Sequence, residues 1–200
     1  MDRTLFELRE ALSEPGCFLC RLEEDHTRRF LDTLFYEFVT DCGVREKIRS
    51  GGFCKTHTER LFLLRPSILG IAIVYQDLLE QYLASHEVPN PQRCLVCQDW
   101  EEHLAHLIHL LTTHFEDLTP AWGEETFLCL PHLARLPEPL KGALANQTRK
   151  TLRRIADHLL AFITKFDYHK SGLPVEPQEA RSWQEAMEFF AGNLMGKRRR

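Results

Sequence analysis

The sequence feature that most constrains this chain is a short spacing of cysteine and histidine that occurs four times. In each case two metal-binding side chains stand three positions apart, and the pairs are Cys17–Cys20, Cys54–His57, Cys94–Cys97 and Cys129–His132. Two such side chains on one tight turn, or at the start of one helix, can point at the same ion. The pattern therefore predicts metal ligation and a fold that must bring these pairs together.

Zinc is the metal that this donor set favours. Structural zinc sites take four tetrahedral ligands from thiolate and imidazole groups, and eight donors supply two complete sites. We therefore predict two zinc ions per chain, each held by three cysteines and one histidine. An iron–sulfur cluster is the alternative, because cysteine thiolates also hold clusters, although histidine is the rarer ligand there.

The order of the motifs leaves two ways of sharing the ligands between the ions. Sequential pairing gives two sites of the same composition, which are Cys17, Cys20, Cys54, His57 and Cys94, Cys97, Cys129, His132. Interleaved pairing gives one site of four cysteines and one of two cysteines and two histidines. Sequential pairing is predicted, because a duplicated unit would then contain its own complete set.

Apolar residues recur with the helical period almost throughout, so the chain is predicted to be all-α, a bundle of helices. The gap between Cys20 and Cys54 holds 33 residues and that between Cys97 and Cys129 holds 31. This agreement predicts a single domain over 1–200 built from two repeated helix-pair units, at about 14–88 and 91–166. A C-terminal amphipathic helix is predicted over 177–195.

Residues six positions beyond the cysteines repeat as well. His26 follows Cys20 after two acidic residues, and His103 follows Cys97 in the same way. These histidines and the acidic residues before them are predicted to lie on the charged surface, with a position close to the metal as the alternative. Arg60, six residues after Cys54, and the corresponding Arg135 are expected to neutralise a metal site, to pair with those acidic residues, or to be exposed.

Cys42 and the histidine-rich helix stand outside the repeated motifs. Cys42 is predicted to be a partly buried small residue near a helix start, with a redox thiol as the alternative. His103, His106, His109 and His114 are predicted to lie on a solvated helix face, with a second metal site or a general base as the alternative.

Charge and hydropathy exclude several classes of protein. The net charge is −4, which gives no basic footprint for nucleic acid, and "KRRR" at the end is predicted to be a solvated tail. The longest apolar run, 68–75, is too short to span a bilayer. The acidic N-terminus does not have the pattern of a secretory signal. Seven cysteines without such a signal predict a reducing cytoplasmic location, where paired cysteines bind metal and do not form disulfides.

The longer motifs resemble a prokaryotic family known as domain of unknown function 6062. The residues that carry the resemblance are "CFLCRLEEDHTRRFLDTLFYEFVTDCGVREKIRSGGFCKTH", "CLVC" with "LCLPHL", and "FDYHKSGLPVEPQEARSWQEAMEFFAG". They cover nearly the whole chain. The resemblance supports the eight metal ligands and implies no activity.

These observations favour a zinc-binding helical protein with structural metal sites that binds a protein partner. A thiol-based redox or metal sensor is the first alternative, because oxidation of zinc-bound thiolates releases the metal. An iron–sulfur protein, an enzyme and a nucleic-acid binder rank below it. The sequence contains no Gly-rich phosphate loop or nucleophile elbow, which favours a non-enzymatic role.

Overall fold

The computed structural model describes residues 3–166 and 173–192, and in these ranges the fold is all-α. The helices are α1 (Arg3–Ser13), α2 (Phe18–Tyr36), α3 (Cys42–Gly51), α4 (Lys55–Leu64), α5 (Ile68–Ser85), α6 (Leu95–Thr113), α7 (Phe115–Leu118), α8 (Leu130–Leu133), α9 (Leu140–Lys165) and α10 (Pro177–Ala191). Two strands of two residues each, β1 (Gly16–Cys17) and β2 (Thr126–Phe127), pair in parallel. The predicted fold class is confirmed.

Capping side chains fix where several helices begin. Asp41 accepts a hydrogen bond from the backbone N–H of Val44 at the start of α3, and Ser67 does the same for Gly70 at the start of α5. Glu176 and Glu179 form a reciprocal capping box on α10, whose first residue is Pro177. These side chains satisfy backbone N–H groups that have no partner inside the helix.

The chain divides into two compact units, and the division falls inside α2 and α6. The first unit comprises Met1–Leu22 and Leu107–Arg200, and the second comprises Glu23–His106. The predicted single domain and its repeats at 14–88 and 91–166 stay predictions. The predicted tail "KRRR" and the last residues of the predicted 177–195 helix lie outside the described residues.

The first unit is organised around the paired strands. Thr126 on β2 is fully buried, and its hydroxyl donates to the backbone carbonyls of Leu12 and Glu14. On the other side of β2, the hydroxyl of Thr151 on α9 donates to the carbonyl of Thr126, at 2.8 Å. These bonds hold the segment before α8 in place, and α10 packs along α9 and against α8 and β1.

The second unit has its own hydrophobic core between α2, α3, α4, α5 and the start of α6. Its buried members are Leu31, Leu34, Phe35, Ile48, Leu61, Val74, Cys94 and Val96. Two cysteines of the repeated motifs, Cys54 and Cys97, pack against this cluster while remaining partly exposed. The core therefore reaches directly to one set of predicted metal ligands.

None of the helices within residues 3–166 and 173–192 combines the length and the hydropathy that crossing a bilayer requires.

Candidate metal centres

The eight predicted ligands lie together in two groups of four. The first centre consists of Cys17, Cys20, Cys129 and His132, and the second centre consists of Cys54, His57, Cys94 and Cys97. Within each group the four donor atoms all lie within 4.8 Å of one another. All members of the first centre belong to the first unit and all members of the second centre to the second unit.

The two Cys-x-x-His motifs are built in the same way. Cys54 precedes α4 and Cys129 precedes α8, and their backbones are nearly identical, with φ −67°, ψ 164° and φ −66°, ψ 156° respectively. Neither cysteine side chain caps its helix, so both sulfurs are available to a metal. His57 and His132 lie in the first turn of the helices that follow.

The Cys-x-x-Cys motifs differ slightly in their first residue. Cys17 ends strand β1, whereas Cys94 ends the short 3-10 turn Pro91–Arg93. Cys20 and Cys97 then lie in the first turns of α2 and α6. Each centre is therefore held at the N-terminal ends of two helices, where the helix dipole stabilises thiolate charge.

One imidazole nitrogen faces all three sulfurs in each centre. The Nδ1 atom of His132 lies 3.1 Å from the Sγ of Cys129, 3.4 Å from that of Cys20 and 3.6 Å from that of Cys17. In the second centre, Nδ1 of His57 lies 3.2 Å, 3.3 Å and 3.5 Å from the sulfurs of Cys54, Cys97 and Cys94. A ring nitrogen carries at most one proton and cannot donate to three sulfurs, so hydrogen bonding alone does not account for the convergence.

A single ion at the middle of each group does account for it. With a zinc–sulfur distance of about 2.3 Å, an ideal tetrahedron has sulfur–sulfur edges of about 3.8 Å and slightly shorter sulfur–nitrogen edges. The distance between the sulfurs of Cys20 and Cys129 is 3.6 Å and that between the sulfurs of Cys54 and Cys97 is 3.7 Å. Both groups therefore fit one tetrahedral metal ion, and both present four protein ligands.

The pKa values of the ligands in the first centre are shifted because the four donor groups lie close together. Burial raises the pKa of Cys17, but hydrogen bonds with Cys129, Cys20 and His132 outweigh burial and hold the pKa of Cys17 well below its ordinary value. Contacts with Cys129 and Cys17 raise the pKa of Cys20. Burial lowers the pKa of His132, but hydrogen bonds with Cys129 and Cys17 outweigh burial and raise this pKa to about 10. Without an ion, Cys17 is therefore the donor that loses its proton first, whereas the thiol of Cys20 and the imidazole of His132 keep theirs, and a bound cation would replace these protons.

In the second centre the pKa values of the two cysteines of the Cys-x-x-Cys motif shift in the same directions, and this centre is less buried. Burial raises the pKa of Cys94, but the contact with His57 and the backbone N–H groups of Cys54 and Cys97 outweigh burial and lower this pKa to about 6. The pKa of Cys97 rises, through burial first and then through the nearby sulfur of Cys94. Amide N–H groups aimed at a sulfur are the interactions that stabilise a thiolate.

The predicted sequential pairing is wrong. The first Cys-x-x-Cys shares its group with the last Cys-x-x-His, and the two middle motifs form the other group. The interleaved alternative, with one centre of four cysteines, does not describe the structure either. The reason is the parallel pairing of β1 with β2, which places Cys17 beside Phe127 and so brings Cys20 to Cys129. The composition of three cysteines and one histidine per centre is as expected.

The two centres differ in how completely the protein covers them. All four ligands of the first centre are buried, whereas Cys54 and Cys97 of the second are partly exposed. At the end of α10 the buried Gly192 adopts a φ of 80°, and a Cβ at this position would lie 3.6 Å from the Sγ of Cys20 and 3.8 Å from that of Cys129. Sequence analysis did not identify Gly192, since a glycine after a helix is an ordinary helix end.

The two histidines that follow the paired acidic residues, His26 and His103, contact each other in the second unit. The rings of His26 and His103 stack at a centroid distance of 4.0 Å, and Nε2 of His26 lies 2.5 Å from Oδ2 of Asp99. Burial lowers the pKa of His103 to about 4, with a further contribution from His26. In the described residues these histidines form no metal group, and the predicted solvated face holds only for exposed positions such as His106.

Two further predictions concern Arg60 and Cys42. Arg60 forms an ion pair with Glu24, at 2.7 Å, so of the three alternatives stated for Arg60 the structure shows the pairing with an acidic residue. Cys42 is the first residue of α3, as predicted, but its side chain is exposed, so the predicted partial burial is wrong. It is absent from both groups of ligands.

Comparison with known proteins supports the predicted resemblance. Residues 4–89 match a family of unknown function, DUF6062, so the resemblance to this family is confirmed over that part of the chain. An uncharacterised 23.9 kDa protein from the xynA 3' region of Caldicellulosiruptor sp. (strain Rt8B.4) is 28% identical over 201 residues, covering 92% of this chain and 98% of the relative. No solved structure matches the chain.

Proposed function

We propose that the chain is a zinc-binding helical protein in which two structural zinc ions hold the ligand-bearing segments together. The observation that carries this proposal is the convergence of three sulfurs on one Nδ1 atom, at 3.1–3.6 Å in the first centre and 3.2–3.5 Å in the second. Three thiolates with one neutral imidazole are a donor set that zinc prefers. When bound, each ion would stabilise its unit by cross-linking segments that are far apart in the sequence.

A structural role is favoured over a catalytic one by the number of ligands. Each centre presents four protein donors, whereas catalytic zinc sites keep one position for water or substrate. Zinc is favoured over an iron–sulfur cluster because a cluster spreads its ligands over several iron atoms. The donors here lie within 4.8 Å of one another, as ligands of a single ion do.

The function of such a scaffold would be to bind a protein partner in the cytoplasm. All seven cysteines lie in the described residues and none of them forms a disulfide, which supports a reducing compartment. Large apolar side chains on the surface of both units, including Phe62, Leu83 and Phe190, support a partner-binding role.

Metal analysis of the purified chain tests the zinc assignment. We expect about two zinc ions per chain and loss of helical circular dichroism on chelation, since structural zinc contributes about 10–16 kcal/mol to folding. The matched variant Cys42→Ser should retain both ions, because Cys42 is exposed and lies outside both groups. Stoichiometric iron with broad visible absorption would overturn the zinc assignment.

A redox or metal sensor is the second candidate, and the partial exposure of Cys54 and Cys97 favours it. An accessible zinc thiolate can be oxidised with release of the metal. Zinc release during a peroxide titration separates the two functions. Fast release that a thiol reductant reverses would indicate a sensor, and slowing of that release in Cys42→Ser would identify Cys42 as the resolving thiol.

A further inference from the structure

Helix α5 is more apolar than its burial explains. Between Ile68 and Ser85 it contains only two charged residues, Asp77 and Glu80, and large apolar side chains occur on all its sides. A helix that is apolar all round is normally buried all round. In this structure only Gly70, Val74 and Asp77 of α5 are buried.

The inner side of α5 is held firmly. A Cβ at Gly70 would lie 2.6 Å from the carbonyl oxygen of Phe35, so the helix backbone is in close contact with α2. Asp77 accepts hydrogen bonds from Arg49 at 2.6 Å and 2.9 Å and from Arg45 at 3.2 Å, which ties α5 to α3. The opposite side of α5 therefore faces outward in a fixed orientation.

That outward side carries a stripe of large apolar side chains, interrupted by the exposed Gln76, and we call it the α5 face. Its side chains are between 49% and 74% exposed, and they are Ile68, Leu69, Leu79, Tyr82 and Leu83. Five such side chains present roughly 600 Å² of apolar surface, the upper end of what monomeric proteins expose. The exposed carboxylate nearby, on Glu80, accepts a hydrogen bond from Gln76 of the same helix.

We infer that the α5 face binds the α5 face of a second copy of this chain, with the two helices antiparallel. This inference rests on the partner-binding role proposed above and identifies the partner. A two-fold axis between positions 75 and 76 would place Ile68 against Leu83 of the second copy, Leu69 against Tyr82, and Ala72 against Leu79. Such a self-complementary arrangement is what an isologous dimer requires.

The area and the charge of the face both fit a second copy. Two α5 faces would bury roughly 1,200 Å² together, which is the lower limit for specific protein interfaces. Because α5 carries no basic side chain and the carboxylate of Glu80 is engaged within the helix, two identical faces meet without strong repulsion. An acidic or basic partner would find no complementary charge on these apolar side chains.

Sedimentation equilibrium of the zinc-loaded full chain tests the inference. We expect a dimer at concentrations on the order of 10 μM, and an increase in Kd of roughly 30-fold or more for Leu79→Glu and for Ala72→Lys. Both positions are exposed, so neither change removes a core side chain. The control is Leu160→Glu on α9, where leucine is 65% exposed, and it should leave the dimer unchanged.

Mixing the two variants makes the test specific for the antiparallel arrangement. The lysine of an Ala72→Lys chain would face the glutamate of a Leu79→Glu chain, while the second contact between Ala72 and Leu79 stays native, so a heterodimer should form. A zinc-loaded wild type that is monomeric, or a dimer unaffected by both variants, would overturn the inference and leave the zinc assignment standing. Failure of the mixture to associate would overturn the antiparallel pairing. A chain that binds no zinc would contradict the proposed function instead.

Discussion

The two centres have the same donors and the same local backbone, and yet the protein covers them differently. Cys54 and Cys129 share almost the same φ and ψ, and each centre has its imidazole Nδ1 at 3.1–3.6 Å from three sulfurs. The first centre is buried throughout and Gly192, at the end of α10, lies against its sulfurs. In the second centre two of the cysteines, Cys54 and Cys97, are partly exposed.

This difference shows that the geometry of the ligands and their exposure to solvent are determined by different parts of the chain. A Cys-x-x-His at a helix start determines which atoms converge, and it does so alike in both units. Whether solvent or an oxidant reaches those atoms depends on segments far away in the sequence, such as α10. We therefore expect the metal of the first centre to exchange more slowly than the metal of the second centre.

Removing a ligand should have the largest effect. It should also test the observed pairing of the first motif with the last and of the two middle motifs with each other, which we call the nested pairing. We expect Cys17→Ser and Cys129→Ser each to abolish metal binding at the first centre and to lower the free energy of unfolding of that unit by several kcal/mol, a large part of the roughly 10–16 kcal/mol that structural zinc contributes. Metal stoichiometry and thermal unfolding are the measurements. The double variant should lose no more metal than either single variant.

The matching control combines Cys17→Ser with Cys54→Ser, which lie in different centres and should together remove both metals. If this double variant lost only one metal, the sequential pairing would be restored and the two centres as described would be wrong.

Exchange kinetics should show the difference in accessibility directly. A chromogenic chelator should remove metal from the second centre about tenfold or more faster than from the first. Groups around the ligands change metal affinity by a factor of about this size, and we expect a similar factor in the rate of release. Cys129→Ser isolates the second centre and Cys54→Ser isolates the first, so each rate can be measured alone. Equal rates would mean that coverage by α10 does not protect the first centre.

A change on α10 should weaken only the first centre. The ring of Phe189 packs edge-on against that of the buried Phe127 on β2, with centroids 6.3 Å apart, whereas its neighbour Phe190 is 67% exposed. We expect Phe189→Ala to lower the free energy of unfolding of the first unit by about 2–3 kcal/mol, because it leaves a partly filled cavity over β2. Metal release from the first centre should accelerate in parallel.

Phe190→Ala is the matched control and should change stability by less than about 0.5 kcal/mol. If both variants behave alike, α10 does not cover the first centre through Phe189.

The smallest expected effect is an acid sensitivity confined to the second unit. Burial holds the pKa of His103 at about 4 in the folded chain, below the ordinary value of 6.5. The unfolded chain therefore binds the proton more tightly, so this contribution to stability is complete above about pH 6.5 and is lost as the pH falls towards about 4. Since His103 is only half-buried, we expect a loss of roughly 1–2 kcal/mol.

Chemical denaturation at about pH 7.5 and about pH 5 measures this loss. The His103→Gln variant should lose correspondingly less stability between the two conditions, and the exposed His109→Gln should behave as the wild type does. An unchanged pH dependence in His103→Gln would assign the acid sensitivity to the metal ligands.

Local spacing is enough to predict the chemistry of the chain and its class of fold. Intervals of three residues identify all eight donors that converge, and the helical period identifies an all-α chain, because both depend on residues within one or two turns of each other. The repeated positions also give pairing with acidic residues as one of three alternatives for Arg60, and the ion pair with Glu24 selects it. The end of α8 does not follow from the periodicity, since only four residues after Cys129 stay helical before Pro137 and Pro139.

Which motifs share an ion, and which centre is covered, depends on long-range packing. Either Cys-x-x-Cys motif could share an ion with either Cys-x-x-His motif, because nothing in the motifs themselves specifies the partner. The free-energy cost of closing a loop of about thirty residues differs from that of closing a loop of about a hundred residues by only about 1–2 kcal/mol. The pairing of β1 with β2 and the hydrogen bonds of Thr126 and Thr151 bring Cys17 to Cys129 across more than half of the chain. Packing of this kind outweighs proximity in sequence, and for that reason the nested pairing could not be derived from spacing alone.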